Sequence, residues 1–145
     1  MYFRLFLASL ISLFLTACNN QQDTDHGTES EELKVNYTAY SDIFEVFAEA
    51  DPFVTGVTSN VLSHFTTLSD FKPLESGKVS LKLTVSGQTT EQTLESPTRK
   101  GIYSFDITPS GTGQGTLEFI VRNDSGEYRI LVPDAKIYPD AGAAE

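Results

Sequence analysis

Apolar and polar residues alternate along most of this chain, from residue 33 to about residue 138. Side chains two positions apart lie on the same face of a β-strand, so this period predicts strands with one buried face. Clusters of Gly, Pro, Asn and Ser predict the turns between them. The predicted strands cover residues 35–40 and 43–48 (one strand, kinked at Ser41 and Asp42), 57–68, 78–85, 88–94, 101–107, 116–122, 127–132 and 135–138.

The clearest alternation lies in residues 78–85. Its apolar side chains are predicted to face the core: Val79, Leu81, Leu83 and Val85. Its polar side chains are predicted to face water: Ser80, Lys82 and Thr84. A tight turn at Ser86 and Gly87 then leads into residues 88–94, whose polar character is typical of an edge strand.

Other strands carry the same inward pattern. Val57, Val61 and Phe65 are expected to share one face of the strand at 57–68. The glycine-rich residues 110–115 are expected to form a hairpin loop, and Pro133 to interrupt the last strand, because proline cannot donate to a strand ladder. Seven to eight short strands in about 105 residues predict an all-β fold, an immunoglobulin-like two-sheet β-sandwich.

The amino terminus has the layout of a secretory signal. Arg4 precedes an apolar run at residues 5–15, which is too short to span a bilayer comfortably. Leu15-Thr16-Ala17-Cys18 resembles a bacterial lipobox, in which the peptide is cut before the cysteine and the thiol is lipidated. We therefore predict a signal helix and lipoprotein signal peptide at 1–17 and lipidation at Cys18. The alternative is an ordinary cleaved signal with an incidental cysteine.

Composition sets the rest of the domain plan. Residues 18–34 are polar and acidic, and we predict a flexible, disordered tether there, followed by the sandwich at 35–140 and a tail or linker start at 141–145. The formal net charge is −10, which argues against nucleic acid and against a polybasic membrane-surface role. Cys18 is the single cysteine, so no internal disulfide can form.

No pattern of residues indicates catalysis. His64 lies in a predicted strand without an acid beside it in sequence, so a structural role is favoured over a general base. The Gly-x-Gly-x-Gly run at 111–115 precedes a strand, not the helix that a phosphate cradle requires. Metal-ligand spacing is absent from the sequence. We therefore expect no enzyme activity, no cofactor and no metal site, and a binding or assembly role instead.

Four segments in order resemble the amino-terminal domain of periplasmic adaptor subunits, the membrane fusion proteins of heavy-metal-type resistance-nodulation-division (RND) efflux pumps. They are Phe-Glu-x-Phe-Ala-Glu at 44–49, an apolar-Gly step at 53–56, Ser-His-Phe-Thr-x-Leu at 63–68 and Asp-Phe-Lys-Pro-Leu at 70–74. Similar residues recur at 101–103, 108–109, 115 and 137–139. The resemblance implies that six residues set the conformation of the module: Phe44, Phe47, His64, Phe65, Phe71 and Pro73.

The resemblance also implies partners and a location. Adaptors of this family bridge an inner-membrane transporter to an outer-membrane channel, and many are lipoproteins. We expect a lipid-anchored module facing the periplasm, with surface exposure left open, that contacts these pump components and binds no nucleic acid. The module would contribute to the export of metal cations or other toxic solutes through protein–protein contact. Residues 88–94 are an edge strand that could make this contact. The full family architecture has further domains, so we expect either a partial chain or a stand-alone module.

Two other functions stay open. A stand-alone lipoprotein could capture a carbohydrate, peptide or metal, which predicts a pocket or aromatic patch at one end of the sandwich near Phe71 or Tyr103. A metallochaperone would need a stoichiometric metal site.

Overall fold

The computed structural model describes residues 33–145, which form nine strands in two packed sheets. One sheet has the order β1-β2-β4-β7 and the other the order β3-β9-β8-β5-β6. The predicted all-β, immunoglobulin-like sandwich is therefore confirmed. The strands are β1 Val35–Tyr40, β2 Phe44–Ala50, β3 Phe53–Val54, β4 Ser59–Thr67, β5 Lys78–Val85, β6 Gln88–Leu94, β7 Ile102–Ile107, β8 Gly113–Asn123 and β9 Gly126–Tyr138.

The prediction of a single kinked first strand is wrong. β1 and β2 are separate antiparallel strands that pair from Val35 opposite Ala50 to Tyr40 opposite Glu45. The hydroxyl of Ser41 accepts hydrogen bonds from the amides of Ile43 and Phe44, at 3.3 and 3.0 Å, and this turns the chain back on itself. The second predicted strand begins later than expected, at Ser59, so Val57 is 53% exposed instead of inward.

Inward side chains from both sheets meet in one core. Phe65 of β4 packs edge-on against Tyr103 and Phe119, with ring centroids 5.4 and 5.6 Å apart. Phe105 completes this aromatic cluster at 6.2 Å from Phe119. All four rings are essentially removed from water, and burial of this kind supplies most of the stabilisation of a sandwich.

β5 and β6 lie where the alternation predicts them. The four apolar residues of β5 face the core, and β6 is the edge strand of the five-stranded sheet. Ser80 was expected to face water but is 1% exposed, because it hydrogen-bonds Thr93 at 2.7 Å and the Arg122 guanidinium at 3.3 Å. The side chains of β6 also reach towards β7, since Gln92 Oε1 accepts the Asp106 amide at 2.7 Å.

β8 and β9 are longer than the sequence suggests. Gly113 and Gly115, expected in a loop, belong to β8, and a Cβ at Gly115 would lie 2.7 Å from the Thr84 carbonyl oxygen. β9 continues through Pro133 instead of stopping there. A register shift between Gly115 and Leu117 accommodates the proline, with Asp134 at a φ of 61°.

The pairing gives the sandwich two distinct ends. Leu33, where the described chain begins, and Glu145 line one small cavity at the end that we call proximal. The opposite, distal end carries the connections at 41–43, 68–77, 95–101 and 124–125. A short 3₁₀ helix at Ala141–Ala143 follows β9, capped by the Asp140 carboxylate. Within the described part of the chain no helix is long and apolar enough to cross a membrane.

Candidate functional site

The distal connection at 68–77 follows a path fixed by backbone hydrogen bonds. The Leu68 amide donates to the Ile43 carbonyl at 2.8 Å, which joins this connection to the β1–β2 turn. Inside it, the Phe71 amide donates to Thr67 and the Thr67 amide to Lys72, at 2.9 and 2.8 Å. The loop therefore has a defined, hydrogen-bonded conformation.

Leu74, whose side chain is buried, holds the second half of this loop in place through its backbone hydrogen bonds. The Leu74 amide donates to Phe65 at 3.0 Å, and the Leu74 carbonyl accepts the Gly101 amide at 2.7 Å. Further along, the hydroxyl of Tyr103 donates to the Gly77 carbonyl at 2.7 Å. Burial raises the pKa of Tyr103 to about 12, so this phenol stays a hydrogen-bond donor throughout the physiological pH range.

Phe71, at the tip of the loop, combines exposure with an unfavourable backbone conformation. Its side chain is 79% exposed, and its φ is 55°. A non-glycine residue in the left-handed region costs about 1–2 kcal/mol, and burial of the ring does not offset that cost here. Such a conformation persists where neighbouring contacts hold it. Here the Phe71 amide bonds Thr67, and the Thr67 amide bonds Lys72 on the other side of Phe71.

A cleft of about 980 Å³ opens beside this loop. It lies between residues 67–78 and the β8–β9 turn, and its apolar lining includes Phe44, Leu74 and Tyr128. Phe44 and Tyr128 meet edge-on with centroids 5.3 Å apart. Its volume is at the upper end of the range of small-molecule sites.

Four of the charged groups around the cleft form two ion pairs. Lys72 Nζ lies 3.1 Å from Asp70, and the Lys72 ammonium holds the pKa of Asp70 below its ordinary value. Lys100 has the same effect on the pKa of Glu75. Since these cations are neutralised locally, the cleft has no concentrated charge of one sign with which to attract an ion.

The six residues named from the resemblance fall into three places. Phe44 and Phe65 are buried, Phe44 beside the cleft and Phe65 in the core. Phe47 and His64 are cross-strand neighbours on the outer face of the four-stranded sheet, with rings 6.0 Å apart. Phe71 and Pro73 lie together in the distal loop. Cys18, the predicted signal peptide and the tether up to residue 32 lie outside the described residues.

Sequence reasoning missed the part that Gly101 plays in this site. Gly101 has a φ of 77°, and its carbonyl accepts the Phe65 amide at 2.8 Å while its own amide holds Leu74. The sequence offers two signals there, a glycine just before a predicted strand and the resemblance at residues 101–103, and neither indicates a contact with the distal loop. Ile43, 40% exposed at the cleft, was likewise assigned to a strand and not to the turn.

The distal end therefore presents an exposed aromatic side chain beside a cleft. Across residues 33–145, no three or more His, Cys, Asp and Glu side chains are grouped so that they could hold a metal ion. No protein-family model matches the chain, and a search of curated proteins finds no match either.

Proposed function

We propose that the chain is a lipid-anchored contact module of the bacterial envelope, attached through Cys18 and facing the periplasm. In this proposal it works by protein–protein contact, within an efflux assembly of the RND type. The resemblance supports the assignment to such an assembly, whose transporter and outer-membrane channel would be the partners. The proposed module is not an enzyme.

The observation that carries the proposal is the exposed ring of Phe71 on a rigid, strained loop. A large aromatic side chain held out into solvent is costly in solubility and, here, in backbone energy. Aromatic residues of this kind are the anchors that dominate the affinity of protein interfaces. Ile43, joined to the same loop through the Leu68 amide, adds a second apolar group at this end.

The position of the anchor relative to the two ends of the sandwich favours contact at the distal end. An anchor that joins the domain at Leu33 attaches to the proximal end, which leaves the loop of Phe71 on the opposite side. The position of His64 supports the proposal that the module is not an enzyme, because His64 lies on a sheet face and not in the cleft.

Site-specific photo-crosslinking in the cells that produce the protein tests the proposal. A benzoylphenylalanine replacing Phe71 should form an adduct with an efflux transporter or channel subunit. The same probe at Val57, an apolar residue 53% exposed at the proximal end, is the matched control. Labelled palmitate should mark the wild-type chain and not Cys18→Ser. Adducts at Val57 alone, or adducts only with proteins unrelated to efflux, would remove the efflux assignment.

A second candidate function, capture of a small periplasmic ligand, is favoured by the size of the distal cleft. Titration of the full chain with soluble peptidoglycan fragments, short peptides and Cu(I) or Zn(II) salts tests it. Binding that disappears in Tyr128→Ala would favour capture, because Tyr128 forms part of the cleft wall. Crosslinked adducts at Phe71, together with no binding in the ligand titration, would favour the contact module.

A further inference from the structure

The two outer faces of the sandwich differ in their chemistry. The face of the five-stranded sheet carries a ladder of ion pairs, among them Lys82 with Glu91 at 3.6 Å and Arg129 with Glu118 at 2.9 Å. Such a ladder is typical of a sheet face that stays in water. The face of the four-stranded sheet is built differently.

The centre of that second face is apolar and is called the Phe47 face below. Phe47, His64 and Ile102 form one cross-strand row, from β2 through β4 to β7, and Leu62 lies two positions from His64 along β4. All four side chains are half-buried. Their neighbours hold them in place before any partner binds, since Phe47 and His64 are already in ring contact.

The rim of the Phe47 face is acidic. Glu45 and Glu49 flank Phe47 along β2, and Asp106 follows on β7. None of these three carboxylates has an ion-pair partner within the part of the chain that the structure describes, and β1, β2, β4 and β7 contain no Lys or Arg. Two cations lie just outside these strands: Lys34 precedes β1 and is paired with Asp51, and Arg99 forms a backbone bridge with Ile102. An apolar centre with a polar rim is the usual anatomy of a protein interface.

From this arrangement we propose that the Phe47 face docks a partner protein whose apolar contact patch is rimmed by Lys and Arg. Opposite charge around the patch would steer the encounter and fix its register. The acidic rim disfavours a second copy of this chain, whose own acids would oppose it, and it disfavours anionic lipid. This surface is separate from the distal end, so the inference is independent of the proposed function.

A photo-crosslinker at Thr38 tests the inference in the cells that produce the full chain. Thr38 is exposed and lies opposite Phe47 on β1, so the probe would reach a molecule seated on the Phe47 face. The control probe replaces Leu131, which is 58% exposed on the outer face of the other sheet. We expect adducts at Thr38 with one protein, linked at a segment that contains Lys or Arg, and none with that protein at Leu131.

A charge variant completes the test. Combined Glu45→Gln and Glu49→Gln should lower the yield of the Thr38 adduct about fivefold, from the loss of two surface charge contacts. Asp134→Asn removes a single charge from an exposed site outside the Phe47 face and should leave the yield unchanged. An absent adduct, an adduct with a second copy, a lipid or a glycan, or a yield unaffected by the double variant would each overturn the inference.

Discussion

Gly101 approaches Pro73 so closely that a Cβ on the glycine would lie 2.8 Å from Pro73 Cβ. The same atom would lie 3.1 Å from the Phe65 carbonyl oxygen. Gly101 thus joins the strand that carries Phe65 to the loop that carries Phe71, through its amide and its carbonyl. The conformation of the distal loop depends on this contact as much as on the loop's own sequence.

Gly101→Ala should therefore destabilise the protein by at least about 2 kcal/mol, because backbone strain and a steric clash add up. Gly87→Ala is the matched control. Gly87 has nearly the same φ, 75° against 77°, but nothing lies within 4 Å of its Cβ position. It should cost only about 1 kcal/mol. Urea unfolding measures both, and equal losses would show that the contact with Pro73 is unimportant.

The proposed role of Phe71 in protein contact can be separated from any role in folding. Phe71→Asn should keep the stability unchanged or raise it by about 1 kcal/mol, because asparagine tolerates the left-handed region better than phenylalanine does. The same variant should lose most of its binding to the protein that the crosslinker at Phe71 captures. Thermal unfolding and a pull-down of that partner measure the two effects. A marked loss of stability would mean that the ring supports the fold.

The sequence predicts the regular strands well because their pattern is local. In β5 the alternation correctly places the four apolar side chains in the core, and the bounds Lys78–Val85 agree with the prediction; Ser80 is the exception, because Thr93 and Arg122 cover it. Ser41 was harder to interpret, since a polar residue between two apolar runs fits a kink and a turn equally well. Its hydrogen bonds to the amides of Ile43 and Phe44 decide for the turn.

The site could be predicted only in part, because it depends on contacts between distant segments. The motif at 70–74 drew attention to Phe71 and Pro73 from the sequence, but neither the exposure of Phe71 nor its φ follows from local pattern. The loop that holds Phe71 is fixed by the hydrogen bond from its amide to Thr67 and by the contact of Pro73 with Gly101, which lies about thirty residues further along the chain. The cleft has the same origin, since its walls come from turns far apart in sequence.

Ser63 is expected to weaken the core that it occupies. Its hydroxyl is fully buried on β4, between Ala48 and Tyr103, and has no hydrogen-bond partner. Ser63→Ala should raise the free energy of unfolding by about 1 kcal/mol, because an unsatisfied polar group is removed with little change of shape.

Ser59 on the same strand is the control for Ser63. Its hydroxyl is also buried but donates to the Pro52 carbonyl at 3.1 Å. Ser59→Ala should therefore lower stability by about 1 kcal/mol. Chemical denaturation of the two variants beside the wild type measures the contrast. Two changes of the same sign would show that the hydrogen bond of Ser59 does not distinguish these serines.

Acid should destabilise the domain through its paired carboxylates. The Arg122 guanidinium, and Arg129 beside it, hold the pKa of Glu127 below its ordinary value, and Lys34 does the same for Asp51. A carboxyl whose pKa is lowered in the folded state stabilises the protein above its unfolded pKa, about 4. That contribution disappears as the pH falls through the lower folded value. The urea midpoint should therefore decrease on acidification below about pH 5.

Glu127→Gln isolates one part of this effect. The variant keeps the shape of the side chain but cannot carry the charge that Arg122 and Arg129 contact at 2.7 and 2.9 Å. It should be less stable than the wild type at neutral pH, and its urea midpoint should fall less steeply on acidification, because one group with a shifted pKa is missing. Asp134→Asn, which removes an exposed carboxylate from the bulge of β9, should retain the wild-type steepness. An unchanged slope in Glu127→Gln would show that the arginine contacts do not lower the pKa of Glu127 in the folded protein relative to the unfolded chain.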